Sequence, residues 1–428
     1  MALRSLYLAS TGGDSLKSAI ALGLIDAWRG QVDRLAVFRP LVNRVDEPEP
    51  LCELLRSQAT VALSWSEPLG ATYQEAYANP TAAGAKILER YLAVAERSDL
   101  VIVLGSDLAG PAEASGLALD ARIAADLSCP VVLVTDGLRQ SPAAARTALA
   151  VAERTLAEYH ASWVGAIINR CETGELATMR QQMATLPVLN MVVPENRQVS
   201  APTVRAVMEA VDGQLVAGSN RLLDQEAALL TVGALEPEHM LSTVKNGALV
   251  ITPGDRAEML LALVAAHADS SFSSLAGVIL SGDFQPSQAM MRLITGIDAN
   301  LPIIRSPLNT MTTASRAAAV RGHLTLNTAA KNQAAIALVR EHVDTAGLWQ
   351  AVESFTPKVV TPQRFAYSLL ERARHDPKHI VLPEGSDLRI LQAAARLVAM
   401  SAAELTVIGV PEQVSALAQQ HDLDLTGV

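Results

Sequence analysis

Short, continuous apolar runs recur through the first half of the chain, and longer segments with helical spacing separate them. Strand-length runs up to about residue 215 are LRSLYLA, RLAVFRP (34–40), DLVIVLG (99–105), PVVLVTD (130–136), WVGAIIN (163–169) and PVLNMVV (187–193). Continuous rather than alternating apolar character predicts strands that are buried on both faces. The helix-length segments between them predict crossovers, so residues 1–215 are expected to form a parallel α/β sheet with helices on both faces.

A second, smaller α/β unit is predicted for residues 225–345. The runs GALVITPG, LAGVILSG and LPIIRSP each precede a helical stretch, and an Ala-rich helix around 329–343 closes the unit. The following segment is 346–361, and the stretch SFTPKVVTPQ (354–363) at its end contains two Thr-Pro pairs, which disfavour helix. We predict that it is a linker.

Residues 362–428 open a third unit. RFAYSLLERARH predicts a helix, HIVLPEG a strand, SDLRILQAAARLVAMS a helix and ELTVIGV a strand. This is one βαβ start, whereas an α/β domain normally needs more than about 100 residues. We therefore expect an incomplete domain that is the least stable part of the chain.

Composition narrows the function classes. The 428 residues are 50% hydrophobic but only 4% aromatic, which suits parallel sheets filled by Ala, Leu, Val and Ile, in two or three domains. The net charge of -10 argues against a general nucleic-acid binder, because phosphate backbones demand clustered Lys and Arg. It leaves CoA or ATP open, since these ligands need only a local basic pocket.

Cysteine usage and hydropathy predict a cytoplasmic location. Cys52, Cys129 and Cys171 are far apart and form no CxxC pair, which is typical of a reducing compartment without a structural zinc site. No run reaches the roughly 18 apolar residues of a membrane helix. The short run LYLA is interrupted by STGGDS, so a secretory signal is not expected.

The segment STGGDSLKSAIALG (10–23) follows the first predicted strand in the position of a phosphate-binding loop. In the pattern G-x-x-x-x-G-K-[ST], backbone N–H groups wrap the phosphates and the Lys reaches the outer ones. Counting back from Lys17 and Ser18, the two glycines should be residues 11 and 16, but Thr11 and Leu16 stand there. A Cβ at Leu16 hinders the tight turn around an anion. We predict a nucleotide-binding fold with a degenerate site.

Other parts of a nucleotide site are ambiguous. Leu104 stands where an acidic residue would help to hold magnesium, and Asp107 follows three residues later. Asn169, beside Arg170 at the end of a strand, could present its amide to a base edge; alternatively it caps or turns the chain, which is the favoured interpretation.

Three stretches together resemble a known family. STGGDSLKSAIALG, DLVIV, IAADLSCPVVLVTDG, VGAIINR and VVPENRQVSAPTV resemble the dethiobiotin-synthetase-like domain of long bacterial phosphate acetyltransferases. The segment from VGALEPEHMLS to GVILSG is similar to their DRTGG domain. FAYSLLERARHDPKHIVLPEGSDLRILQAAARL resembles the opening of their catalytic domain. The three stretches stand in the family's order and cover nearly the whole chain.

The resemblance implies a reaction and its substrates. The family transfers an acetyl group between CoA and inorganic phosphate, without a metal and without a tightly bound cofactor, with CoA in a cleft between two lobes. It implies a cytoplasmic homo-oligomer with acetyl-CoA and phosphate as substrates, first domains that regulate or assemble, and a regulatory metabolite as a further partner. Nucleic acid and membrane are not expected partners.

The chain departs from the family in one respect. The Ser, Arg and Asp motifs that the resemblance assigns to catalysis have no counterpart up to Val428, so no catalytic residue is predicted and the chain is expected to be inactive alone. In LPEGSDLR, Arg389 is a candidate CoA or phosphate contact or, equally, a solvated helix residue. Glu384 and Asp387 are interpreted as a turn and a helix cap rather than a catalytic pair.

Two strand-to-helix junctions and one pair of histidines are the remaining candidate sites. Asp255 is predicted to cap a helix, or less favourably to mark a metabolite site, and the same two interpretations apply to RSPLNTMTTASRA near Arg305. His375 and His379 straddle Asp-Pro, so they should not share a helix face as metal ligands would.

Two functions compete with acetyl transfer. The first is an ATP-dependent ligase of the dethiobiotin-synthetase kind, which the missing loop glycines, Leu104 and the chain after residue 225 disfavour. The second is a non-enzymatic sensor that binds a metabolite or a partner chain.

Overall fold

The structure is a computed structural model that describes residues 4–12, 15–107, 113–138, 140–297 and 300–428. Its first unit contains a seven-stranded sheet in the order β3-β2-β4-β1-β5-β6-β7, and every strand pair in it is parallel. Its strands are β1 Arg4–Ser10, β2 Leu35–Val42, β3 Leu69–Thr72, β4 Leu100–Leu104, β5 Val131–Asp136, β6 Trp163–Cys171 and β7 Leu189–Pro194. The predicted parallel α/β fold and all six predicted strands are confirmed.

Strand β3 is the strand that the hydropathy pattern missed. It has four residues, LGAT, and one of them is Gly70. A Cβ at Gly70 would lie 2.3 Å from the carbonyl oxygen of Pro40 in β2, so the close approach of the two strands requires glycine. A short strand with a glycine leaves no apolar run for a sequence pattern to detect.

Helices cover both faces of this sheet. They are α1 Lys17–Trp28, α2 Pro50–Gln58, α3 Tyr73–Ala78, α4 Pro80–Ala95, α5 Glu113–Asp126, α6 Pro142–Glu158, α7 Leu176–Met183 and α8 Arg197–Ser200. Two buried clusters, one on each face, hold the strands between them. Helix α1 is buried along most of its length, which explains why its sequence is apolar on all sides.

The second unit contains a five-stranded sheet in the order β8-β12-β11-β10-β9. Its strands are β8 Gln214–Ala217, β9 Leu229–Val232, β10 Ala248–Pro253, β11 Leu275–Ser281 and β12 Ile303–Arg305, and its helices are α9 Val204–Ala210, α10 Pro237–Thr243, α11 Ala257–Ala268, α12 Gln288–Ile297 and α13 Thr310–Ala319. The three predicted strands are present. The two missed strands, β8 and β9, lie at the sheet edges and are only four residues long.

After the second unit the chain returns to the first sheet. Helices α14 Ala329–His342 and α15 Thr345–Glu353 contribute Ala335, Val339 and Leu348 to the buried cluster that also contains α1. The indole N–H of Trp28 in α1 donates to the carbonyl of Thr345 over 3.1 Å. The helix that we predicted at the close of the second unit therefore packs on the first, because the apolar surface that it covers belongs to α1.

The third unit is a two-stranded parallel sheet with three helices. Its elements are α16 Pro362–His375, β13 His379–Leu382, α17 Leu388–Ala399, β14 Glu404–Val407 and α18 Pro411–Gln420, and these include all four predicted elements. Its few buried hydrophobic residues are Leu391, Ala394, Leu405 and Ala418, whereas Val381 and Ile408 are about half exposed. Within the described residues of the whole chain, no helix is long and apolar enough to cross a membrane.

Candidate functional site

The carboxyl edge of the first sheet brings two cations to one carboxylate. Lys17 begins α1, Arg39 lies in β2, and Asp107 follows the end of β4. Lys17 Nζ contacts the Asp107 carboxylate and donates to the carbonyl of Ser106 over 2.5 Å. Arg39 Nη2 donates to Asp107 Oδ2 over 2.7 Å, and its Nη1 donates to the carbonyl of Gly105 over 3.0 Å. Asp107 thus bridges Lys17 and Arg39.

In this ion cluster, burial and the neighbouring charges shift the pKa values in opposite directions. Lys17 is 3% exposed and Arg39 is 4% exposed, whereas the Asp107 side chain is 46% exposed. Burial raises the pKa of the Asp107 carboxyl, but the charges of Lys17 and Arg39 outweigh it and hold that pKa well below its usual range. Burial likewise lowers the pKa of Arg39, and the charges of Asp107 and Glu49 outweigh it. Asp107 and Arg39 are therefore both charged at neutral pH.

Asp120 in α5 fixes the turn that carries Asp107. It is 1% exposed, and it accepts hydrogen bonds from Ser106 N over 2.9 Å, from Ser106 Oγ over 3.0 Å and from the Tyr7 hydroxyl over 2.8 Å. Tyr73 adds a further restraint, because its hydroxyl accepts from Asp107 N over 3.0 Å. The backbone at Ser106 and Asp107 is held in place independently of the two cations.

The buried carboxyl of Asp120 predicts a pH dependence of stability. Burial raises its pKa above the usual range. Between the ordinary pKa and the raised one, the unfolded chain has released this proton and the folded chain retains it, so the free energy of unfolding falls as pH rises. Asp120→Asn removes that titration.

We therefore expect Asp120→Asn to gain stability relative to the wild type as pH rises above about 4. Urea unfolding at a series of pH values measures this difference. Asp33→Asn, an exposed change at the far end of β2, controls for the loss of one carboxyl group. A relative stability of Asp120→Asn that does not change with pH contradicts the prediction.

The loop before α1 differs from an intact phosphate-binding loop at the predicted place. Leu16 adopts a left-handed conformation with φ 50° and ψ 39°, and α1 has no side-chain cap there. That conformation costs a β-carbon-bearing residue roughly 1–2 kcal/mol. Thr11 N bonds to the carbonyl of Val134 over 3.2 Å. Gly13, one of the two glycines that the loop does contain, lies outside the described residues.

The predicted nucleotide-site residues converge at this edge, but two of them bond within the protein. Lys17 points at Asp107 and Ser106, and Asn169 Nδ2 donates to the carbonyl of Ser15 over 2.8 Å, so this amide holds the loop. Asn169 Oδ1 is buried and has no hydrogen-bond partner among the described residues. Ser18 is partly buried and lines the adjoining cavity.

A cavity of about 850 Å³ opens beside this cluster. One wall is the carboxyl edge of the first sheet, and the other is residues 319–325, which begin at the last residue of α13 in the second unit. We call these seven residues the returning segment. The charged and titratable residues of the lining are Lys17, Arg39, Arg44, Glu47, Glu49, Asp107, Arg170, Arg321 and His323. The sequence pattern missed Arg39 and the returning segment, because neither lies in a local motif.

Arg389 is not part of the lining of this cavity and lies at the start of α17. Its guanidinium is 87% exposed and donates to the Asp387 carboxylate over 2.7 Å. Asp387 accepts from the backbone N–H of Arg389 over 2.8 Å, which confirms it as the helix cap. Its pKa is lowered to about 2 by hydrogen bonds from Arg389. An exposed, paired arginine at a helix start leaves the predicted CoA or phosphate contact untested.

The structure also places the remaining candidate residues of the sequence analysis. The predicted cap by Asp255 is wrong: Arg256 occupies the N-cap of α11, without a side-chain cap bond, because the helix begins two residues after Asp255. Arg305 lies in β12, 3.7 Å from the Asp283 carboxylate, and Asn309 caps α13. His375 ends α16 and His379 begins β13, so they share no helix face.

The cysteines are free and buried, and burial raises the pKa of Cys129 to about 11 and that of Cys52 to about 12. Thiols of this kind are inert. Across the part of the chain that the structure describes, no group of three His, Cys, Asp or Glu side chains could hold a metal ion.

Three family profiles match consecutive parts of the chain. Residues 4–203 match an AAA domain, residues 206–320 a DRTGG domain, and residues 364–428 the phosphate acetyl/butaryl transferase family. Together they span the first unit, the second unit and the third. The order is the one that the sequence resemblance implied.

Curated relatives match almost the whole chain. Phosphate acetyltransferase of Synechocystis sp. is 28% identical over 98% of this chain, and that of Nitratidesulfovibrio vulgaris is 28% identical over 99%. The enzyme of Deinococcus radiodurans is 26% identical over 99%. The chain spans 62% of the length of each of these relatives.

Solved structures give only distant matches. The regulatory region of Clostridium perfringens pyrophosphatase is 15% identical, with a TM-score of 0.22 over 28% of this chain and 46% of its own. An ATP complex of a variant of Cyanothece McdA is 13% identical, with a TM-score of 0.29 over 46% of this chain and 85% of its own. Scores this low do not establish a shared fold.

Proposed function

We propose that this chain, which belongs to the family of long-type phosphate acetyltransferases, takes part in the reversible transfer of an acetyl group between acetyl-CoA and phosphate. The reaction gives acetyl phosphate and CoA. The observation that carries the proposal is the order of the three matched domains, together with 28% identity to phosphate acetyltransferases over nearly the whole chain. Acetyl-CoA and phosphate are the substrates, and the proposed site of action is the cytoplasm.

In this proposal the first two units regulate or assemble the enzyme, and the third contributes to the catalytic domain. Arg389 is the candidate contact for a phosphate group of CoA or for inorganic phosphate, because it lies at a helix start and its guanidinium is exposed. Its Nε and Nη2 donate to the Asp387 carboxylate, which would orient the guanidinium.

We further propose that residues 1–428 alone do not catalyse the transfer. Among the residues that the structure describes, strands β13 and β14 pair only with each other, and most of their side chains are exposed. An acyl-transfer site needs donors held in a water-excluded cleft. A two-stranded sheet with so few buried side chains is too open to hold such a cleft.

A fusion enzyme tests the proposal. The chain is joined at Val428 to the part of the Synechocystis relative that its match does not cover. We expect thiol release from acetyl-CoA that depends on phosphate in the fusion and not in either part alone. Arg389→Gln in the fusion is expected to raise the KM for phosphate or CoA, and Arg396→Gln in the same helix is the matched control.

Two outcomes would contradict the proposal. One is a fusion that has the circular dichroism of a folded α/β protein but produces no acetyl phosphate. The other is acetyl transfer at an enzymatic rate by purified residues 1–428 alone, which would overturn the proposed inactivity and leave the family reaction in place.

A further inference from the structure

The cavity between the first sheet and the returning segment has no role in the proposed acetyl transfer. It is separate from the third unit, because its lining comes from residues 15–18, 39, 42–44, 47–51, 73, 107, 170, 200 and 319–325. About 850 Å³ is the size of pockets that hold nucleotide-sized ligands. Its walls come from two different units, so any ligand in it would contact both.

The returning segment is held firmly as one wall. A Cβ at Gly322 would lie 2.4 Å from the carbonyl oxygens of both Ser200 and Ala201, so only glycine allows this approach to the end of α8. Lys331 in α14 is fully buried, and its ammonium contacts the carbonyl of Ala201. The wall is therefore part of the packed structure.

The lining carries an excess of positive charge. Five cationic side chains face three carboxylates, and His323 adds a titratable ring. The most buried of the cations are Lys17 and Arg39, which point at the same position from α1 and β2. Two buried cations directed at one position form an anion-binding arrangement, because desolvation strengthens their attraction for a negative group.

Arg39 has binding capacity that the protein does not use. It is 4% exposed, it lines the cavity, and its Nε has no hydrogen-bond partner among the described residues. A guanidinium presents its donors as a planar fork that suits phosphate oxygens. At present Nη2 donates to the half-exposed carboxylate of Asp107, and Nη1 donates to the carbonyl of Gly105.

We propose that this cavity binds a small molecule with two or more phosphate groups, which displaces the Asp107 carboxylate from Lys17 and Arg39. A phosphate group carries more charge than a carboxylate and offers three acceptor oxygens, so it satisfies both cations better. The Asp107 carboxylate can turn toward solvent, because its side chain is about half exposed and its backbone is held by Tyr73. The phosphate group must outcompete the attraction between this carboxylate and the two cations.

The binding mode differs from that of an intact phosphate-binding loop. Leu16 replaces the glycine that such a loop needs, so the main attraction comes from side chains of α1 and β2 rather than from backbone N–H groups. A second phosphate group would lie toward Arg321 and His323 of the returning segment. Binding would thereby tie the returning segment to the first sheet.

Calorimetric titration of residues 1–428 with inorganic pyrophosphate, in a buffer with a metal chelator, tests this inference. We expect Asp107→Asn to lower the Kd about tenfold, because it removes the competing charge and keeps the side-chain shape. Asp33→Asn removes the same charge from the opposite end of β2 and should leave the Kd unchanged. Arg321→Gln in the Asp107→Asn background should raise the Kd again.

Comparing the affinities of tripolyphosphate and ATP then distinguishes a simple polyphosphate from a nucleotide as the ligand. Equal affinities support a simple polyphosphate, and tighter binding of ATP supports a nucleotide. The inference is overturned if neither the wild type nor Asp107→Asn binds pyrophosphate while both remain folded by circular dichroism. It is also overturned if Asp33→Asn strengthens binding as much as Asp107→Asn. None of these measurements depends on acetyl transfer.

Discussion

Gly23→Ala is expected to destabilise the protein by about 2 to 3 kcal/mol, although the same change in an exposed helix usually stabilises it. Gly23 lies in α1 where α14 packs against it. A Cβ there would lie 2.3 Å from Val339 Cβ and within 2.6 Å of both its methyl groups. Because these atoms belong to a stiff β-branched side chain in a second helix, the two helices must move apart.

Chemical or thermal unfolding measures this effect, and Gly30→Ala is the matched control. Gly30 follows the same helix and has no atom within 4 Å of an added Cβ, so its substitution should change stability little. Val339→Gly removes all three colliding atoms, so it should suppress much of the penalty of Gly23→Ala in the double variant. Equal stability of the Gly23 and Gly30 variants would show that α14 does not pack on α1.

Backbone amides of β13 and β14 are expected to exchange with solvent about 100-fold faster, or more, than those of β1 and β4. Within the described part of the chain, the first pair forms a separate two-stranded sheet with mostly exposed side chains, and the second pair lies at the centre of a seven-stranded sheet with no exposed side chain. Isolated pairs of strands are marginally stable in water.

Hydrogen–deuterium exchange followed by mass spectrometry gives the comparison in one experiment. Strands β10 and β11 of the second sheet are the internal control and should exchange slowly, because their side chains are buried. Protection of β13 as strong as that of β10 would contradict the expectation that residues beyond 360 are the least stable part of the chain.

The site residues that belong to a local sequence motif could be predicted from the sequence. Lys17 and Ser18 follow a strand and begin a helix, so their place at the carboxyl edge of the sheet could be inferred from their order alone. Asn169 was placed at the same edge, but its amide holds Ser15 instead of facing outward. Its contact joins residues 154 positions apart, which no local spacing records.

Arg39 is a site residue that the local sequence pattern could not predict. It stands in the run RLAVFRP, where it looks like an interruption of a buried strand. Its burial becomes intelligible only when the carbonyl of Gly105 and the carboxylate of Asp107 are placed beside it. A buried charge requires such partners, and those partners come from the neighbouring strand.

Local hydropathy was sufficient to predict the long strands, because continuous apolar runs specify strands that are covered on both faces. The loop motif was sufficient to predict an altered phosphate-binding loop, because residue 16 is not glycine. The short strands, the packing of α14 on α1 and the cavity under the returning segment depended on the folded chain. Each of these features is an approach between residues distant in sequence, and its energy depends on the surface that both partners bury together.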